Sequence, residues 1–394
     1  MKKNIILLLS LPLLLNATPL SDVIADGHID GEVKLFYYHI DKKDAPNAFA
    51  SSLGGQLKYT TDTKQPFFAS LGFHTSNPVF SNKNKEKTYL FNNDKDASAL
   101  TAISESFIAY KTQERVIRLG NVLLNTPMMN NDTTRIVPWS YQGFFYTGTT
   151  LKDTKVQLNH ISAIRSHTSD SYTKESASGD IGSKGVTMLS FHYAHPKRYN
   201  LQAYYYYAPD LYSTFIAQAD YSFDLHTNVL YCFGLQYFKS GNGGRYNQRE
   251  NKNGGDDINL IALRVAAESD TIGVALNYSQ NFGISGMVKG YGGLTKTYTT
   301  SMIANGRGNY KPETWMLKLS YELPLKAKES ELALWLTDTK VHDNRGDSFQ
   351  AYYMHYRHRF TKELSLYVRY EHLNYEKVST SDSSYFRVIS SYEF

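Results

Sequence analysis

The chain has 394 residues, 41% of them hydrophobic, and a mean hydropathy of −0.44, averages that would suit a soluble protein. Its 32 Tyr and 20 Phe fit that reading poorly, because aromatics favour strands and gather in the interface girdles of membrane barrels, where soluble strands more often carry Val and Ile. The formal charge of +5, about +3 without Lys2 and Lys3 of an N-terminal leader, is too mild to suggest nucleic acid; the single cysteine, Cys232, excludes an internal disulfide or a cysteine-based metal site and is expected to be packing.

Met1–Ala17 reads as a secretory leader: Lys2 and Lys3 form its basic end, Ile5–Leu15 the apolar run, and Leu15-Asn16-Ala17 the cleavage site, although Leu15 is bulkier than the residue usual there. No later stretch approaches the roughly 18 consecutive apolar residues of a spanning helix, so a membrane-embedded mature chain would have to cross as strands. Residues 18–394 show no linker and are expected to form one domain.

Gly27–His39 opens the strand pattern, with Val33, Leu35 and Tyr37 on one parity and Glu32, Lys34 and Tyr38 on the other. Asp41–Ala48 is expected to turn the chain into Phe49–Thr61, and Asp62–Pro66 leads on to Phe67–Thr75. Gly54, Gly55 and Gly72 weaken strand packing but allow the bending a closed sheet needs. The Lys/Asn-rich Asn77–Ser98 is a loop, followed by strands Ala99–Lys111 and Arg115–Val122 across a hairpin-length turn. Leu123–Ser140, which holds Pro127, Asp132, Arg135 and Pro138, is a further loop before strands Tyr141–Thr149 and Val156–Arg165. After the Ser/Gly-rich Ser166–Lys184 come Val186–Ala194, Tyr199–Ala208, Ser213–Phe223 and Asn228–Lys239; Tyr204–Tyr207 puts two tyrosines on each face. Ser240–Asp256 precedes strands Asp257–Ala267 and Thr271–Phe282, Gly283–Pro312 is the longest loop, and Glu313–Leu323, Glu331–Val341, Ser348–Phe360, Leu364–Tyr375 and Ser383–Phe394 complete the series.

These segments make about eighteen strands, an even number that leaves both termini on one side. Connections sort by length: every long one falls on the side away from the termini, and short ones such as Asp62–Pro66, Thr112–Glu114 and Glu268–Asp270 fall on the other. A soluble sandwich has no reason to sort its loops so, whereas membrane barrels have short periplasmic turns and longer outer loops. The expected fold is therefore all-β, a transmembrane antiparallel β-barrel in the outer membrane of a Gram-negative bacterium. The last strand alternates Phe386, Val388, Tyr392 and Phe394 against Tyr385, Arg387, Ser391 and Glu393; its free edge must pair, and the first strand is the expected partner.

Several short motifs resemble the OprD-type outer-membrane porins, the carboxylate channels: Arg118-Leu119-Gly120, Thr126-Pro127, Arg135-Ile136-Val137-Pro138, Tyr141-Gln142-Gly143-Phe144 and Pro312-Glu313-Thr314-Trp315. The resemblance implies an eighteen-stranded passive channel narrowed by its third and seventh outer loops, with a row of basic side chains leading small carboxylate-bearing solutes through. Strand counting independently places Leu123–Ser140 third and Gly283–Pro312 seventh.

Parity alone gives a basic ladder. If Val33, Leu57, Leu119 and Leu317 face lipid, then Lys34, Lys58, Arg118 and Lys318 face inward, and the same rule turns Arg357, Arg359, Arg369 and Arg387 inward. Clustered charge in a narrow aqueous pore concentrates solutes of opposite sign. The plainer reading is that these cations only neutralise Glu32, Glu371 and Glu393. Asp132 and Arg135 either line a constriction or pin their loop to the wall, and Trp139, Trp315 and Trp335 read as girdle residues or loop anchors. His355 and Arg357 share a face and read as lumen lining. No nucleophile elbow, zinc helix or calcium loop is present, so no enzyme activity, metal or cofactor is expected. Expected partners are membrane lipid and lipopolysaccharide, small solutes, and an assembly machinery reading Phe394; outward apolar faces leave a homotrimer open, and long outer loops would also suit an adhesin.

Overall fold

Alternation with a period of two turns one set of side chains toward lipid and the other inward along each strand, so the pattern itself dictates a sheet with two unlike faces. The computed structural model describes residues 24–394 apart from 133–134, 150–151, 175–183, 196–197, 210–211, 226–227, 243–257, 284–295, 305–310, 326–328, 343–345 and 378–380. The expected leader, Met1–Ala17, and the acidic pair Asp256-Asp257 lie outside the described residues.

Eighteen strands form one closed antiparallel sheet. They are β1 (His28–Lys42), β2 (Ala45–Thr60), β3 (Phe67–Ser81), β4 (Leu100–Lys111), β5 (Arg115–Val122), β6 (Ser140–Gly148), β7 (Thr154–Arg165), β8 (Val186–His195) and β9 (Tyr199–Ala208), then β10 (Tyr212–Asp224), β11 (Leu230–Asn242), β12 (Ile258–Glu268), β13 (Ile272–Asn281), β14 (Pro312–Glu322), β15 (Ser330–Val341), β16 (Phe349–Arg359), β17 (Leu364–Tyr375) and β18 (Ser383–Glu393). Each pairs with its neighbours in sequence, and β1 pairs with β18 in the register Glu32↔Glu393, Lys34↔Ser391, Tyr38↔Arg387. Gly31 and Phe394 exchange backbone hydrogen bonds, each 2.9 Å, so the terminal residue itself completes the seam. Closure pairs every strand edge, which is what a hydrocarbon surrounding demands.

Four boundaries differ from the sequence expectation by three residues or more: β1 ends at Lys42 rather than His39, β11 ends at Asn242 rather than Lys239, and β2 and β3 differ further. β2 begins at Ala45 rather than Phe49, so the first hairpin turns tightly, and β3 runs on to Ser81 rather than ending at Thr75. The lower-propensity residues there are carried by pairing with the neighbouring strand, which alternation does not report.

Outward positions such as Leu35, Leu71, Leu119 and Val265 are exposed, as lipid-facing residues must be. Aromatics gather at the end near the termini, where Phe67 meets Tyr110 at 4.9 Å, Tyr199 meets Tyr221 at 5.2 Å and Tyr392 stacks near Phe394 at 6.3 Å. No helix among the described residues is long and apolar enough to cross a membrane.

The interior is filled unevenly. Met128 and Met129 of the third loop and Tyr298 of the seventh pack with Tyr141, Phe145, Met188, Tyr206, Phe238 and Leu260 on the inner wall of β6–β12. The second loop also turns in: Leu90, Phe91 and Ala97 pack with Phe36 and Tyr38 of β1 and with Ile136. Apolar residues at inward positions are thus explained by the loops that cover them.

Candidate functional site

Met128, Met129 and Tyr298 of the third and seventh loops lean on the wall of β6–β12, and the open space lies across the seam, lined from β16 round to β4. On the terminal side of the third loop lies a cavity of about 970 Å³ lined by Lys34, Lys58, Arg135, Arg357, Arg359 and Lys362, and equally by Asp30, Glu32, Glu105, Glu329, Glu363 and Glu393. Acid and base balance there, and ion pairs join them: Lys34 to Glu32 at 3.0 Å, Lys58 to Glu105 at 3.1 Å and Arg359 to Glu329 at 3.3 Å, while Arg357 pairs at 2.7 Å with Glu331 beyond the cavity lining.

At mid-height the pattern changes. Register aligns His355, Arg369, Arg387 and Tyr38 in one row across β16, β17, β18 and β1, with Arg369 directly opposite Arg387. Like charges so placed repel and destabilise a sheet. Among the described residues no ion pair joins either guanidinium to a carboxylate. Tyrosines take that place: Arg369 Nε donates to Tyr353 Oη at 2.9 Å and lies 5.1 Å from the centre of the Tyr367 ring, while Arg387 Nη2 donates to Tyr38 Oη at 3.1 Å and lies 4.4 Å from that ring. Ring faces attract the cations without cancelling their charge.

Arg135 reaches the same row from the third loop, 5.5 Å from the Tyr38 ring, with Nη1 donating to the Thr88 carbonyl at 3.0 Å and Nε 3.9 Å from Asp132. Burial, then the neighbouring Arg387, holds its guanidinium below the ordinary value. Asp132 sits in the left-handed region, φ +48°, and its carbonyl accepts the Arg135 N–H at 3.0 Å, a turn that aims the side chain. The Nε–H groups of Arg135 and Arg387 are buried and have no hydrogen-bond partner among the described residues.

The other predicted basic residues are dispersed. Lys318 stands 4.4 Å above the Trp335 ring, and Arg118 lies 5.6 Å from the Phe107 ring. Trp335 differs from its expected role. It lies mid-strand between the outward Leu334 and Leu336, faces the lumen and meets Tyr353 at 4.4 Å. Trp315 is outward and exposed, and Trp139 packs against the loop core.

Glu371 makes no direct ion pair with any described arginine, although its charge still acts on Arg369 through space. Its carboxylate accepts the Ser301 hydroxyl and the backbone N–H groups of Ile303, at 2.5 Å, and Ala304, at 3.3 Å, so it anchors the seventh loop. Arg165, absent from the predicted ladder, is buried and donates to Ser104 Oγ at 2.8 Å, Pro138 O at 3.0 Å and Ser169 O at 3.0 Å, tying the third and fourth loops together. Nothing in its strand distinguished it. Arg264 also points inward and pairs with Glu268 at 2.7 Å; its flanking Leu263 and Val265 carried the signal that would have added it. No cluster of metal ligands occurs among the described residues.

A profile described as outer membrane porin, OprD family, matches residues 79–327. No curated protein sequence matches. Solved structures share the fold: OccAB2 of Acinetobacter baumannii is 16% identical, with a TM-score of 0.83 over 95% of this chain and 99% of that one. OccAB1 of the same organism is 14% identical, with a TM-score of 0.82 over 95% and 98%. OpdK of Pseudomonas aeruginosa, solved with vanillate, is 15% identical, with a TM-score of 0.80 over 94% and 99%.

Proposed function

This chain belongs to the OprD family of outer membrane porins and forms a channel in the outer membrane of a Gram-negative bacterium, and from that premise we propose that it passes small polar solutes by diffusion and favours those bearing a carboxylate. The observation that supports this most is the Arg369–Arg387 pair, two guanidiniums set opposite each other, hydrogen-bonded to tyrosines and in direct ion pair with no described carboxylate, with Glu371 acting on Arg369 only through space. The tyrosines and Glu371 offset part of that repulsion in the folded sheet, and an anion passing between the guanidiniums relieves more of it. In a waist walled by low-dielectric protein such charge focuses the field, and each guanidinium offers a fork of donors matched to carboxylate oxygens.

The cavity on the terminal side contributes little preference in this reading, because its acids and bases balance. Lys34, Lys58, Arg357 and Arg359 there act as a paired, polar lining, and Lys318 and Arg118 as flanking cations; Arg135 with Asp132 narrows the waist from the third loop. The barrel that begins at His28 is a single domain in this reading, with its outer face against lipid and lipopolysaccharide and Phe394 read during assembly. The adhesin alternative rested on long outer loops; the described parts of the second, third, fourth and seventh pack inward or onto one another, and no observation favours it.

The test is influx into proteoliposomes of a small carboxylate and of its amide, matched in size. The carboxylate should enter several-fold faster. Equal rates would remove the preference, and no influx of either would remove the channel.

A further inference from the structure

A hydrogen-bonded chain runs along the inner wall toward the arginine row. Glu331 Oε1 of β15 lies 2.9 Å from His355 Nε2 of β16; His355 Nδ1 lies 3.0 Å from Tyr353 Oη; and Tyr353 Oη receives Arg369 Nε of β17 at 2.9 Å, with Tyr367 Oη 3.2 Å away. The residue in register with His355 on β15 is Ala333, whose small side chain lets the imidazole lean diagonally to Glu331.

For a neutral imidazole, chemistry fixes the direction of each bond. A carboxylate only accepts, so Nε2 carries the proton that faces Glu331, and the neutral ring must then accept at Nδ1 from the Tyr353 hydroxyl. Arginine only donates, so the Tyr353 oxygen is the acceptor for Arg369. A second proton on the imidazole, drawn from the lumen water, would occupy Nδ1 and turn it into a donor. The Tyr353 hydroxyl would then have to swing its hydrogen to Tyr367, its remaining neighbour on that side. A cation would also stand in the same register row as Arg369 and Arg387.

We propose that His355 is a specificity-determining residue of the channel: held between Glu331 and Tyr353 and aligned with Arg369 and Arg387, its protonated form adds a third cationic group to the row and raises the preference for anions in acid. Groups facing the imidazole are Glu331 and Trp335 from β15, Tyr367 and Arg369 from β17, and Tyr353 on its own strand, while Arg357 shares the Glu331 carboxylate. The proposal rests on the reading that Arg369 and Arg387 set the selectivity of the waist.

Reversal potentials in a KCl gradient, measured from pH 8 to 5, test it. The wild-type chloride-to-potassium permeability ratio should rise several-fold toward acid. His355→Gln, which still donates to Glu331 but does not titrate, should flatten that rise; His355→Lys should hold the acid value throughout. Both variants are checked for a folded, heat-modifiable barrel, and either one gives the answer if the other fails to fold. A wild-type ratio that does not change with pH, or a rise that persists in His355→Gln, overturns the proposal. Arg369→Gln separates the two ideas: an unchanged potential at every pH overturns the waist reading and the proposal with it. A shifted potential, alongside an intact pH response in His355→Gln, overturns the role of His355 alone.

Discussion

At the scale of single residues, position in the row matters more than charge. Lys34, Lys58, Arg357 and Arg359 were all legible as inward cations from the Leu, Val and Tyr on the opposite parity, yet each is held by a carboxylate, and only Arg369 and Arg387 face one another over tyrosines. Parity tells which face a side chain occupies; it does not tell which neighbour, on its own strand or two strands away, will claim it. Glu371 shows this most clearly, for its inward position was predictable and its use as an anchor for residues 301–304 was not. Glu371→Gln keeps the shape but loses the charge that three donors share, each such bond being worth about 1.5–3 kcal/mol. The variant should show a larger or noisier single-channel conductance as the seventh loop lifts from the wall. Conductance traces indistinguishable from wild type would rule out the anchor.

Most strand ends were readable to within two residues, because alternation with Gly, Asn and Ser-rich breaks marks them, and β5, β9 and β17 begin and end where the pattern put them, whereas the far ends of β1, β2, β3 and β11 were not. Loop elements were readable only in order and length. Their inward fold depends on contacts such as Met128 and Met129 against Tyr141 and Tyr206, which no local pattern announces. Met129→Asp places a carboxylate in that apolar cluster, so the third loop should detach and conductance rise; unchanged conductance would mean that other contacts hold it. The fourth loop gives a pH test. Burial, then Arg135, pushes the His167 imidazole down from 6.5 to about 3. Between those values the unfolded chain binds a proton the folded one refuses, so stability is complete above about pH 6.5 and declines as pH falls toward 3. The melting temperature in detergent should drop from pH 7 to 5, and His167→Gln should reduce the drop; an equal drop in both would assign the acid sensitivity elsewhere.

For the whole molecule, closure and selectivity meet at one seam. Adding a Cβ at Gly31 would meet the Phe394 ring at 2.3 Å, so the glycine lets the terminal aromatic lie flat on the outer face where β1 and β18 join. Removing Phe394 should lower the amount of barrel in the outer membrane, measured by fractionation, and normal levels would confine the residue to packing. The same joint brings Arg387 of β18 beside Tyr38 of β1, so the waist exists only once the barrel has closed. The most direct measurement of the account is therefore the reversal potential, in a salt gradient across a planar bilayer, of the wild-type channel and of the Arg369→Gln/Arg387→Gln double variant. Stepwise conductance with anion preference in the wild type, and a shift toward cations in the variant, is the result predicted. Stepwise conductance with the same reversal potential in both would contradict it.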